Sequence, residues 1–190
     1  EARLRERRTA DLYALVRELS GASEPETAAG IAARHTATAF SVDAVVLLRD
    51  SNGEPRVAGS STPGGHLSAE ETAVARWVGD HGRPAGRGTD TYADAPVVCV
   101  PIATGESVLG VLALRAAGRV PADAEQRGFL EAFVRQIALT MERARLGGEA
   151  RAAALRARTG DNRTSLLSAV APDRRPPPVA ITRAGSAPTM

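Results

Sequence analysis

Two β-hairpin signals set between helical stretches constrain this chain more than any other feature. Val42–Arg49 (VDAVVLLR) is a β-branched apolar run, Ser51-Asn52-Gly53-Glu54 follows it, and Arg56–Ser60 reads as the returning strand. Asn-Gly favours tight turns whose twist matches two antiparallel strands. The second signal is Pro96–Ala103 and Val108–Arg115 around Thr104-Gly105-Glu106-Ser107, whose Gly-X centre suits a type II′ turn. An antiparallel sheet of about four to six strands is expected, and helices must cover it.

Helical spacing supplies that cover. Residues 1–20 place Leu4, Leu12, Leu15, Val16 and Leu19 at near-helical intervals, and Gly21 ends the run. Ser23, with Pro25 in the first turn and Glu26 three residues on, predicts a capping box. The second helix then runs to about Phe40, with Ile31, Ala32, His35 and Ala39 near one face. Ser68 and Glu71 repeat the pattern before a helix to Val78, whereas Gly79–Tyr92 (GDHGRPAGRGTDTY) is glycine-rich, lacks an apolar period and reads as a loop. Pro121 opens a long helix to about Leu146, with Phe129, Leu130, Phe133, Val134, Ile137, Leu139 and Met141 as its apolar set.

Beyond it Gly147-Gly148 is a weak point. Ala150–Val170 is helix-permissive but interrupted at Gly160-Asp161-Asn162, and Ala171–Met190, with five prolines, is expected to lack regular structure. The chain thus reads as an α+β fold with long N- and C-terminal helices. Helices bracketing a sheet at both ends are the architecture of a dimeric signalling module, so the expected parts are a signalling helix (1–20), a sheet domain (21–146), a linker or partial dimerisation helix (147–170) and a proline-rich disordered tail (171–190).

Composition narrows the chemistry. All 24 basic residues are Arg, so a Schiff-base or P-loop lysine is excluded. Tyr13, Phe40, Trp77, Tyr92, Phe129 and Phe133 are too few aromatics for a single-strand stacking platform. Residues 1–142 carry 15 Arg against 19 acidic residues, and residues 143–190 carry 9 against 3. The basic tail can touch phosphates, but no reading helix accompanies it, so specific nucleic-acid binding is not expected. Docking of that tail on an anionic surface or nucleic acid, or small-ligand binding, is the alternative function. One cysteine, Cys99, excludes a disulfide framework and a cysteine zinc site, and suits a reducing cytoplasm. Between Val98 and Val100 it reads as a core thiol.

His35 reads as a buried, hydrogen-bonded histidine and His66 as a solvated loop residue; no metal or cofactor is expected. Asp80-His81 could seat a general base, but no nucleophile has a fitting context. A loop that lids a sheet-side pocket is the better reading, with Arg83 and Arg87 able to help cradle an anion. Its candidate ligand or lid residues are Trp77, Val78, His81, Arg83, Arg87, Thr89 and Asp90. The apolar runs are too short to span a bilayer, and no signal peptide is expected.

Ala75–Thr91 (ARWVGDHGRPAGRGTDT) resembles the signature stretch of the GAF domain in KdpD-type potassium sensor histidine kinases. Glu6–Ser20 (ERRTADLYALVRELS) resembles the helix that leaves the last membrane span in that family, and Gly110–Leu114 and Leu130–Leu146 match the end of its domain. The resemblance implies a GAF-like antiparallel sheet flanked by helices, in a cytoplasmic module of proteins that are membrane-anchored at full length. In this family a phosphoacceptor helix follows, reading roughly LLSxxSHDLRTPLxxI; here Leu166–Ile181 reads LLSAVAPDRRPPPVAI. Asp173, Arg175 and Pro177 stand where the pattern has Asp, Arg and Pro, while Ala171 and Pro172 replace the Ser-His pair. A proline nitrogen in a peptide bond offers no lone pair for phosphotransfer, so kinase activity is not expected. The ATP-binding domain is expected to be absent, in a truncated relative that keeps its sensor. The implied function is a non-catalytic sensory and dimerisation module in potassium or osmotic signalling. Its expected partners are a second copy through the terminal helices, an intact sensor kinase and a small-molecule ligand, with membrane attachment only through upstream spans.

Overall fold

Both hairpins form, and they pair with each other. In the computed structural model β1 (Asp43–Arg49) and β2 (Pro55–Ser60) make the first, and β4 (Val98–Thr104) and β5 (Ser107–Arg115) the second. A two-residue strand, β3 (Ala85–Gly86), completes a five-stranded antiparallel sheet ordered β2-β1-β5-β4-β3. The structure describes residues 2–50, 52–105, 107–115 and 124–170. The central pairing runs from Asp43↔Arg115 to Leu48↔Gly110. At the first turn the Asp50 carboxylate accepts the Asn52 and Glu54 N–H groups at 2.8 and 2.9 Å, and Gly53 takes φ +82°. Gly105 in the second turn also has positive φ, +58°, while Glu106 lies outside the described residues.

β1 is buried at five consecutive positions because it is covered on both faces, so its alternate residues feed two cores. Val46 and Leu48 join Val98, Ile102, Leu112 and Leu114 beneath α1 (Ala2–Leu19), α2 (Pro25–Phe40) and α4 (Ala124–Val170). Those helices contribute Leu15, Leu19, Ile31, Phe133, Ile137 and Met141. On the other face Val45, Leu47, Cys99, Val111 and Ala113 pack on Val74, Ala75 and Val78 of α3 (Ala69–His81). Three of the few aromatics cluster, Phe40, Phe129 and Phe133, with ring centroids 5.0–5.6 Å apart. At Gly59 a Cβ would lie 2.4 Å from the Ala29 backbone, so glycine lets α2 seat closely on β2.

Four sequence expectations are corrected. The N-cap of α2 is Glu24 in extended conformation, not Ser23, and no side-chain cap forms; Pro25, in the first turn, needs no donor there. α3 runs on to His81, because Gly82 at φ +63° closes it one turn later than Val78. The glycine-rich stretch is not all loop, since Ala85 and Gly86 pair with Cys99 and Val98. α4 is helical through Gly147-Gly148 and through residues 160–162, where breaks were expected. Pro121 and the rest of 116–123 lie outside the described residues, as does the whole expected tail, 171–190. The chain divides into two units, Glu1–Arg151 and Ala152–Met190, and residues 152–170 of the second are helical.

Candidate functional site

The ends of α3 fix the segment that carries most of the candidate residues. At its start the Ser68 hydroxyl accepts the Glu71 N–H at 3.2 Å and the Glu71 carboxylate accepts the Ser68 N–H at 2.8 Å, the expected capping box. Glu71 is only 5% exposed, and its second oxygen accepts from Arg115 Nε at 2.6 Å. Burial pushes its carboxyl up, yet the Ser68 N–H and the Arg115 guanidinium outweigh burial and hold it below the usual carboxylate range. Arg115 also donates to the His66 carbonyl, tying β5 to the loop before α3.

At the other end of α3 the Gly82 N–H reaches the Val78 carbonyl at 2.9 Å. His81 Nδ1 donates to the Trp77 carbonyl at 2.8 Å, and its ring stacks on the Trp77 indole, centroids 4.2 Å apart and 11° from parallel. Tyr92 meets the same indole edge-on at 6.2 Å, from a left-handed backbone at φ +57°. Asp80 binds Arg49 at 2.6 Å, and that hydrogen bond holds its carboxyl below the usual range. Asp80 and His81 therefore serve different partners, and no acid–base dyad is assembled.

Beyond Gly82 the chain folds on its own hydrogen bonds. Gly86 has φ +108°, and a Cβ there would lie 2.0 Å from the Val97 carbonyl. The Gly86 and Arg87 N–H groups bond the Thr91 and Val97 carbonyls at 2.8 and 2.9 Å. The Thr89 hydroxyl lies 2.8 Å from the Gly86 and Thr91 carbonyls. This folded loop forms one lip of an open recess of about 120 Å³, whose floor is Val98 and Val100 and whose far wall is Arg127, Leu130 and Glu131 of α4.

The seven candidates thus occupy four environments. Val78 is fully buried in the α3 core, and Trp77 and His81 form the stacked pair beside it. Arg87 and Thr89 line the recess on the opposite face of the sheet, while Arg83 and Asp90 stand exposed. Tyr92, Arg127 and Glu131 were not singled out from the sequence. Nothing local marks Glu131, which is one acid among many on a helix surface. Cys99 is buried, and burial pushes its thiol up to about 12, consistent with an inert core position. His35 is half-buried rather than buried, with Nε2 2.6 Å from Glu18; His66 is exposed. Among the described residues no cluster of His, Cys, Asp or Glu could hold a metal ion. Ala171, Pro172, Asp173, Arg175 and Pro177 lie outside the described residues.

A five-stranded antiparallel sheet with α1, α2 and α4 on one face and α3 on the other defines the class, and sequence comparison agrees: the GAF domain family model matches residues 24–143. The chain belongs to the GAF domain family. It is also 32% identical over 177 residues to the sensor protein KdpD of Escherichia coli, covering 93% of this chain but only 20% of that protein's length. The solved GAF domain of the E. coli potassium sensor histidine kinase KdpD superposes with a TM-score of 0.64 at 30% identity. That match covers 77% of this chain and 99% of the solved domain. The GAF domain of an Acinetobacter phosphoenolpyruvate-protein phosphotransferase, 17% identical with a TM-score of 0.58, shares the fold over 75% of this chain and 97% of its own.

Proposed function

We propose that this chain is a non-catalytic, cytoplasmic sensory and dimerisation module of potassium or osmotic signalling, acting as the GAF region of a KdpD-type sensor does. The observation that carries the reading is the match to KdpD along 93% of the chain, at its GAF region. GAF domains are generally regulatory and non-catalytic, and the separate commitments of Asp80 and His81 fit that role. No helix among the described residues is long and apolar enough to cross a membrane.

Apolar side chains left in solvent on the terminal helices support pairing with a second copy. Tyr13 and Val16 on α1 are 70% and 38% exposed, and Leu139 and Leu146 on α4 are each 50% exposed. Leu139 and Leu146 are seven residues apart, the repeat that keeps one helix face against a partner. Occupancy of a ligand site is read out as a change in that pairing, within one pair or with an intact sensor kinase. Light-scattering mass at low and high salt tests the reading. A dimer of twice 19.7 kDa in both salts is expected. A monomer throughout overturns it.

A further inference from the structure

We infer that the recess between the Pro84–Thr89 loop and α4 is a binding site for a small zwitterionic amino acid with an apolar side chain. The recess lies on the face of the sheet that carries the terminal helices, away from α3 and the Trp77–His81 stack. It holds about 120 Å³ and is open to solvent. Three features of its lining define the occupant. The floor and inner wall are the apolar side chains of Val98, Val100 and Leu130, which favour burying a hydrocarbon group. Arg87 on the loop presents a guanidinium that, among the described residues, makes no hydrogen bond or ion pair. Glu131 on the α4 wall likewise makes none with Arg87 or with any other described residue.

The second guanidinium of the lining, Arg127, is engaged in an interaction of its own, which leaves Arg87 and Glu131 as two opposite charges that do not meet, complementary to a molecule carrying both charges at one end. The ligand carboxylate pairs with Arg87, where a planar fork can take two oxygens. Its ammonium pairs with Glu131, and its side chain lies on Val98, Val100 and Leu130. A simple carboxylate leaves Glu131 facing it uncompensated, and a simple amine does the same for Arg87. The loop needs no ordering to present Arg87, since its own backbone bonds and Thr89 already fix it.

The site deepens the sensory reading and rests on it for its consequence: an occupant joins the β3–β4 loop to α4, the helix through which the state is passed on. Binding itself is read independently of pairing. The full chain, with isotope-labelled Val and Leu methyls, is titrated with L-leucine, with 4-methylpentanoate and with 3-methylbutylamine. L-Leucine is expected to shift the Val98, Val100 and Leu130 methyls saturably. Either singly charged analogue should bind at least about tenfold more weakly. R87Q and E131Q should each weaken L-leucine binding by a similar factor, and R83Q, outside the recess, should leave it unchanged. These side chains are exposed, so the variants retain the fold. No shift with L-leucine, or equal binding of the carboxylate alone, overturns the assignment. Light-scattering mass on the same samples separates the two readings: a dimer blind to L-leucine sinks this site and leaves the module, whereas a monomer that binds it does the reverse.

Discussion

Thr36 and Glu71 are the two polar residues buried most deeply among the described residues, and they sit at opposite ends of the energetic scale. The Thr36 hydroxyl on α2 is buried with no hydrogen-bond partner among the described residues, a desolvation cost that no hydrogen bond there offsets. T36V keeps the shape and removes the orphan, and should raise stability by about 1 kcal/mol in urea unfolding. Glu71 is the contrary case, with both carboxylate oxygens engaged by Ser68 and Arg115. E71Q keeps a capping acceptor but leaves Arg115 without its charge partner, and should cost about 1–2 kcal/mol near neutral pH. The pH dependence has a definite sign. A folded-state pKa held below the ordinary 4.5 contributes stability above that value, which is lost as pH falls through the folded pKa. The E71Q difference should therefore shrink on acidification below about pH 4.5, measured as urea midpoints across the acid range.

Among the elements, α2 seats on β2 through a glycine, and ion pairs flank its contacts with β2 and α1. Gly59 lies against the Ala29–Gly30 backbone with no room for a methyl group. G59A should force the two elements apart and destabilise the domain by about 1–3 kcal/mol, seen as a lowered unfolding midpoint with the sheet register retained. Glu18 of α1 accepts from both His35 and Arg34 of α2, and the His35 hydrogen bond is the main reason its carboxyl is held low. Arg56 of β2 and Glu26 of α2 make a similar bridge on the same side. The hairpins and the capping box of α3 were legible in the sequence because each depends on neighbours within four residues. The missing cap at Ser23 and the unbroken α4 were not. Extended backbone at Glu24 decided the first, and helix continuation through paired glycines cannot be read from propensity alone.

For the whole molecule, the decisive property is that α1 and α4 each bury one face in the core they share with α2 and the sheet and leave apolar residues on another. Leu15 and Leu19 are buried while Tyr13 and Val16 are not, and Met141 is buried while Leu139 and Leu146 are half exposed. Such residues are unremarkable singly, but a heptad pair on a long helix favours a partner. On the pairing proposed above, L139E together with L146E should leave only monomer across the accessible concentrations, with the circular-dichroism spectrum and urea midpoint little changed. Sedimentation of variant and parent side by side checks both parts.

The sequence by itself determined the two hairpins, the helices around them, the α+β class and the family, because local turn chemistry, apolar periodicity and the irregular Ala75–Thr91 pattern act over short separations. It also marked Cys99 as a core thiol, from its apolar neighbours in a strand. The tertiary structure alone decided which face each candidate serves. Trp77 and His81 went to the α3 side while Arg87 and Thr89 went to the α4 side, a division made by the sheet lying between them. Glu131 and Arg87 are 44 positions apart in the sequence, and no local pattern relates them. They line one recess because β3 pairs with β4 and α4 crosses the same face, and such long-range pairings follow from burying two cores at once.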